Sequence, residues 1–198
     1  MLPIDLLEGF ERKMAAFQKR PACNVDIASL PEEYDDITSL YIREKKYIIF
    51  NDKYYNDASE IEIMGALFHE IRHAYQHHII ESENTNQEPI KVIEQWKKDF
   101  DSYIQPINKD ILQLDLDVKD FFSKQRINEQ NKLLKNTSKV KEETFDYLTS
   151  SIEVDALAYA DLNIYHIYKL HLDIPVEMKE LLLKRQDLIK DRDDIIKM

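Results

Sequence analysis

Residues 59–81 read SEIEIMGALFHEIRHAYQHHIIE, and their pattern is the strongest indication of structure in the chain. Its apolar side chains recur every three or four residues, which is the spacing of one helical face. They are Ile61, Met64, Leu67, Phe68, Ile71, Tyr75 and Ile79. Ser59 and Glu62 form a capping-box pattern, in which each side chain accepts a hydrogen bond from the other residue's backbone N–H. We therefore predict one uninterrupted helix from Ser59 to about Glu81.

The centre of this helix carries an HExxH motif, His69-Glu70-Ile71-Arg72-His73. Two histidines four residues apart project from the same helical face, so their ring nitrogens can converge on one ion. Glu70 then lies where a carboxylate can accept a proton from a water molecule that attacks a peptide carbonyl. The motif predicts a zinc-dependent metallopeptidase, with His69 and His73 as Zn²⁺ ligands and Glu70 as the general base.

A catalytic zinc site usually has three protein ligands, so one ligand must come from outside the motif. His77 continues the histidine stripe, but it lies about 12 Å along the helix axis from His69, too far to bind the same ion. We expect His77 and His78 to face solvent. The third ligand should therefore come from another helix.

The best candidate for that ligand is Glu153. On a helix Glu153, Ala156 and Ala160 share one face, and the small residues would let this helix approach the HExxH helix closely. Gly65 would serve the same purpose on the HExxH helix. Asp155 is the alternative ligand; it lies about 200° around the helix from Glu153, so both cannot bind one ion directly. If it is not a ligand, Asp155 is expected to pair with Arg72 or to orient a ligating histidine.

The rest of the chain favours an α+β fold that is mostly helical, in a single domain of residues 1–198. A first helix should end before Pro21, and three strands follow at 24–28, 37–42 and 46–50, forming a small antiparallel sheet beside the HExxH helix. A loop is expected after Asn51. Later helices are expected around Trp96, over most of 107–143, from Phe145 to about Leu172, and after Pro175. In the last one, Leu181/Leu182 and Leu188/Ile189 recur at a heptad interval, which fits docking on the domain better than a coiled coil.

Composition bounds the function further. The net charge of −11 makes nucleic acid an unlikely partner, because a phosphate-binding surface needs clustered Lys and Arg. One cysteine, Cys23, excludes an internal disulfide, and the first twenty residues resemble neither a leader peptide nor a membrane span. We expect a cytoplasmic protein without a membrane partner, acting on a protein or peptide substrate. The sequence does not choose the donor for the reaction's oxyanion among Tyr75, Tyr147, Tyr159 and Arg72.

The order of these features resembles a known family. A strand at Ile48 to Asn51, a polar loop, the HExxH helix and a later helix reading E-x-x-A-x-x-Y-A look like the minimal gluzincins of the ImmA/IrrE type. The later-helix matches are Glu153, Ala156, Tyr159 and Ala160. The resemblance covers about half of the chain, and it implies a zincin-like fold and a cytoplasmic bacterial peptidase. Some peptidases of this family cleave repressors on mobile elements. Leu157 departs from the pattern, since those proteins often have Asn there.

Residues 84–146 form an insertion between the two ligand-bearing helices. Because it must start and finish near them, we expect it to act as a lid or substrate-selecting subdomain; the alternative is that it only thickens the helical core. A different class of function also stays open. In that reading the protein is a catalytically inactive zincin-fold binding module, which holds a partner through Trp96, Phe100 and the insertion.

Overall fold

The computed structural model describes residues 2–30, 37–82, 87–104 and 148–190. It confirms an α+β protein that is mostly helical, with one small sheet. The strands are β1 (Asn24–Ala28), β2 (Ser39–Ile42) and β3 (Tyr47–Asn51). The α-helices are α1 (Ile4–Phe17), α2 (Asp52–Asp57), α3 (Glu60–Ser82), α4 (Ile90–Asp99), α5 (Ser151–Tyr168) and α6 (Lys179–Lys190). A π-helical turn, Phe100–Ile104, continues α4, and a 3₁₀ turn, Val176–Met178, precedes α6.

The predicted HExxH helix is present as α3, and its capping box forms. The backbone N–H of Ser59 donates to the Glu62 carboxylate at 2.7 Å, and the N–H of Glu62 donates to Ser59 Oγ at 3.3 Å. Helix α3 is the centre of the molecule, with α1, β2, α4 and α5 packed around it. Its burial is consequently not limited to the apolar stripe, because Arg72, Gln76 and His77 are also buried.

The sheet is mixed, so the predicted antiparallel sheet is right for only one of its two strand pairs. Strand β3 lies in the middle, antiparallel to β2 but parallel to β1, with Asn24 opposite Tyr47. A tight turn, in which the Lys46 N–H donates to the Arg43 carbonyl at 3.1 Å, joins β2 to β3 as a hairpin, so this pair is antiparallel. Strand β1 pairs with the other edge of β3, whose run Ile48-Ile49-Phe50 is buried.

The expected loop after Asn51 was also wrong, because the chain turns directly into the short helix α2. The Asn51 side chain is the cause, since it accepts a hydrogen bond from the N–H of Lys53 at 3.2 Å and so caps the new helix. Asn is favoured both in loops and at helix N-caps, and only the following residues decide between them.

Helix α5 brings Glu153 to the centre of the fold. It begins at Ser151, later than the predicted Phe145, where Asp99 of α4 accepts hydrogen bonds from the Ser151 N–H at 2.7 Å and its hydroxyl at 2.6 Å. Ala156 and Ala160 are fully buried, as expected for helices that pack closely. Gly65 does not face α5, however. A Cβ added there would lie 2.9 Å from Leu172 Cδ2, so this glycine admits the chain that follows α5.

The described part of the insertion packs into the core. Trp96 of α4 and Phe100 lie in one apolar cluster with Tyr75, Ile79 and Ile152. Residues 105–147, which include the predicted helical region 107–143, lie outside the described residues. The lid therefore stays a prediction.

Helix α6 docks on the domain as expected, through Leu182 and Ile189, while Leu181 and Leu188 point outward. Among the described residues, no helix combines the length and the apolar composition that crossing a membrane requires.

Candidate metal centre

Three side chains from α3 and α5 meet at one point. His69 Nε2 lies 2.9 Å from His73 Nε2 and 3.3 Å from Glu153 Oε2, and His73 Nε2 lies 3.2 Å from Glu153 Oε1. Two atoms that each lie about 2.05 Å from a tetrahedral zinc ion are about 3.3 Å apart. The two ring nitrogens and the two oxygens of Glu153 are therefore spaced about as closely as ligand atoms around one such ion, and one atom from each residue lies within 4.8 Å of the others.

The electrostatics of the cluster also fit a cation. Burial by itself would lower the pKa of His73, but the neighbouring carboxylates of Glu153 and Glu70 raise it to about 9. Burial would raise the pKa of Glu153, yet His73 and His69 hold that carboxyl well below its usual range. Glu153 Oε1 is buried and accepts no hydrogen bond within the described part of the chain. The cluster thus favours positive charge at the place where the three side chains meet. A divalent metal ion would supply that charge.

Within the described part of the chain, His69 is the most solvent-exposed member of the cluster. The His69 side chain is 19% exposed, against 9% for His73 and 2% for Glu153. A substrate would therefore approach past His69, while Glu153 closes the inner side of the site.

Glu70, the predicted general base, is buried, and its carboxylate is near enough to His73 to raise the pKa of that ring. Its Oε1 accepts a hydrogen bond of 2.8 Å from the hydroxyl of Ser39, the first residue of β2. Sequence reasoning missed Ser39, and no local pattern could have found it, because this contact joins residues 31 positions apart. The edge strand β2 therefore begins next to the carboxylate.

Asp155 lies outside the cluster and pairs with arginines. Its oxygens accept hydrogen bonds from Arg72 at 2.8 and 3.1 Å and from Arg185 of α6 at 2.6 Å. Burial would raise the pKa of Asp155, but Arg72 and Arg185 lower it to about 2. Of the two carboxylates considered from the sequence, the structure brings Glu153 to the histidines and Asp155 to Arg72.

Three of the four suggested oxyanion donors, Tyr75, Tyr159 and Arg72, are buried. Tyr75 donates to Glu88 at 3.4 Å, the Tyr159 hydroxyl accepts from Gln18 at 3.2 Å, and Arg72 binds Asp155. The fourth, Tyr147, lies outside the described residues. The described candidates therefore belong to the core.

His77 was expected to face solvent, and this was wrong. Its ring is 2% exposed and lies between Tyr41 of β2, 6.0 Å away between centroids, and Phe100, 4.3 Å away. Burial, with Arg43 and His73 nearby, lowers the pKa of His77 to about 3. The helical pattern could not show this, because the covering elements come from distant parts of the chain.

The burial of His77 predicts acid sensitivity. Unfolding returns its pKa from about 3 to 6.5, so its contribution to stability is complete above pH 6.5 and is lost as the pH falls towards 3. We expect the wild type to lose about 3 kcal/mol between pH 7 and pH 4 relative to His77→Leu, which has no group to protonate. Urea unfolding of both metal-free proteins over this range measures the difference. A difference that does not change with pH would show that His77 is readily protonated in the folded protein.

Comparisons with known proteins found no relative of this chain. No protein-family model, no curated protein and no solved structure matches this chain. The evidence on function is the site itself, with two histidines and a glutamate at ligand spacing and a second glutamate beside them.

Proposed function

We propose that this chain is a zinc-dependent peptidase of zincin type, in which His69, His73 and Glu153 hold the ion and Glu70 is the general base. The observation that carries the proposal is the convergence of the three donor atoms, which lie within 4.8 Å of one another although α3 and α5 are far apart in sequence. If the HExxH motif had arisen by chance, there would be no reason for Glu153 to lie beside its two histidines. A bound zinc ion would polarise the substrate carbonyl and acidify the attacking water.

The chain's own residues supply the proton transfer. Glu70 accepts the proton of the attacking water and then donates it to the amine that leaves when the peptide bond breaks. The Ser39 hydroxyl holds one oxygen of this carboxylate, which restricts its rotation. Neither histidine is needed as an acid or a base in this scheme, since both are ligands.

The surroundings favour a peptide as substrate. Strand β2 is an edge strand of the described sheet, and its first residue contacts Glu70. An extended peptide can bind such an edge through backbone hydrogen bonds, independently of its side chains. A peptide bound along β2 would pass the general base.

Hydrolysis of a diverse peptide library in H₂¹⁸O tests the proposal. The zinc-loaded protein should produce new carboxyl termini that each carry one ¹⁸O atom, as mass spectrometry would show. Cleavage should stop when a chelator removes the metal and return with one equivalent of zinc. A zinc-loaded protein that leaves the library intact would contradict the proposal and favour the inactive binding module.

The structure gives that alternative less support. Trp96 and Phe100, which the binding module would use, are buried in the core at 1% and 4% exposure. A site with a purely structural role would also have no use for a buried Glu70 held by Ser39. A peptidase would use Glu70 as its base and would not need Trp96 or Phe100 to be exposed.

Replacing Ser39 tests the orientation of Glu70. Ser39→Ala should lower kcat about fivefold, because one hydrogen bond to the carboxylate, worth about 1 kcal/mol in the transition state, is lost. Zinc content should not change. Ser39→Thr keeps the hydroxyl and is the matched control, so its kcat should stay near that of the wild type. Equal kcat in all three proteins would mean that Ser39 does not orient the base.

A further inference from the structure

The amide of Gln76 connects His73 to the buried core. Gln76 lies on α3, one turn after His73, and is fully buried. Its Nε2 donates to the backbone carbonyl of Ile152 at 2.8 Å and to Asp155 Oδ2 at 2.7 Å, while its Oε1 lies 2.8 Å from His73 Nδ1. A carbonyl and a carboxylate can only accept, so the amide nitrogen must face them and the amide oxygen must face His73.

This orientation decides which nitrogen of His73 carries a proton. An amide oxygen cannot donate, so Nδ1 must be the donor in this hydrogen bond. In the neutral ring Nε2 then has its lone pair free, and Nε2 is the atom that lies beside His69 and Glu153. The hydrogen bond from Nδ1 thus leaves the lone pair of His73 Nε2 available to bind an ion at the cluster.

We propose that Gln76 is a positioning residue that fixes the tautomer and ring orientation of His73 and so sets the zinc affinity of the site. This inference rests on the proposed zinc site and not on peptide hydrolysis. Histidine ligands usually donate their second N–H to a carboxylate, a carbonyl or water, and loss of that partner weakens metal binding about 10- to 100-fold. In this protein the side-chain oxygen of Gln76 accepts that hydrogen bond.

The partners of Gln76 are themselves fixed. Asp155 is held by Arg72 and Arg185, and the Arg72 guanidinium lies 4.4 Å from the centre of the Tyr75 ring. Arg185 belongs to α6, so helices α3, α5 and α6 all hold the amide in place. Glu88 also pairs with Arg72 at 3.4 Å and with Arg185 at 3.6 Å. Two carboxylates therefore balance two guanidinium groups behind the site.

Two substitutions at position 76 separate this role from packing. Gln76→Met preserves length and volume but offers Nδ1 only a weak thioether acceptor in place of the amide oxygen, so its Kd for Zn²⁺ should rise about 10- to 100-fold. Gln76→Glu keeps an acceptor oxygen, and its Kd should stay within about threefold of the wild type. If Gln76 only packs, the order is reversed, because Met fills the same space whereas Glu adds a carboxylate beside Asp155. Competition with a chromophoric chelator measures both values.

The wild type offers a second readout that needs no substitution. Long-range ¹H–¹⁵N spectra of the metal-free protein, titrated until the His73 ring is neutral, should show the remaining ring proton on Nδ1. A proton on Nε2, or a Gln76→Met variant with wild-type zinc affinity, would overturn the positioning role. If the zinc measurements agree and the peptide library stays intact, the proposed hydrolysis fails while the role of Gln76 stands.

Discussion

Glu70→Gln should lose nearly all hydrolysis while the protein keeps its zinc. The amide has the shape of the carboxylate, and its oxygen can still accept the hydrogen bond from Ser39, but it cannot take a proton from water. General-base catalysis contributes about 10²- to 10⁴-fold, so we expect kcat to fall by about 10³-fold. Kinetics on a peptide identified from the library measure the loss.

The control for this variant is its metal content. Since Glu70 is not among the three proposed ligands, Glu70→Gln should bind one zinc ion per chain and unfold at the same temperature as the wild type. A variant with zinc bound and wild-type kcat would remove Glu70 as the base. Loss of zinc from the variant would instead assign Glu70 to the coordination sphere.

Glu153→Ala should have the largest effect on metal binding. Structural zinc sites with four ligands have binding free energies of about 10–16 kcal/mol, which corresponds to about 3 kcal/mol per ligand. Removing one of three ligands should therefore raise the Kd for Zn²⁺ by about 10²- to 10³-fold. Retention of wild-type affinity in this variant would remove Glu153 from the site.

Asp155→Ala is the matched comparison, because it removes a buried carboxylate two residues away on the same helix. It leaves Arg72 and Arg185 without their main partner, and breaking such a buried pair costs about 3–5 kcal/mol. We expect a large loss of stability in urea unfolding and a smaller loss of zinc affinity, about tenfold, through Gln76 and His73. Glu153→Ala should therefore lose mainly zinc affinity, whereas Asp155→Ala should lose mainly stability.

Local signals were sufficient for the central helix and for its motif. The capping box, the apolar spacing and the HExxH residues all act within a few positions of one another, so the sequence alone predicts α3 nearly to its ends. Glu153 was also predictable, because Ala156 and Ala160 mark a helical face that can approach another helix. Glu153 was preferred to Asp155 because only Glu153 shares a helical face with these two alanines.

The features that were missed depend on contacts between distant residues. The parallel pairing of β1 with β3 passes over the intervening strand β2, and the capping of α5 by Asp99 crosses 52 positions. His77 and Gln76 were misjudged or overlooked for one shared reason. Polar residues opposite an apolar stripe normally face solvent, but α3 is covered on several sides, so here they are buried and bonded.

Metal analysis of the purified protein, beside a double variant His69→Ala/His73→Ala, tests the zinc centre most directly. We expect one zinc ion per chain in the wild type and none above background in the double variant, with the far-ultraviolet circular dichroism of the two proteins alike. A wild-type protein that binds no zinc after incubation with the metal, or a double variant that still binds one equivalent, would contradict a metal centre built from α3 and α5.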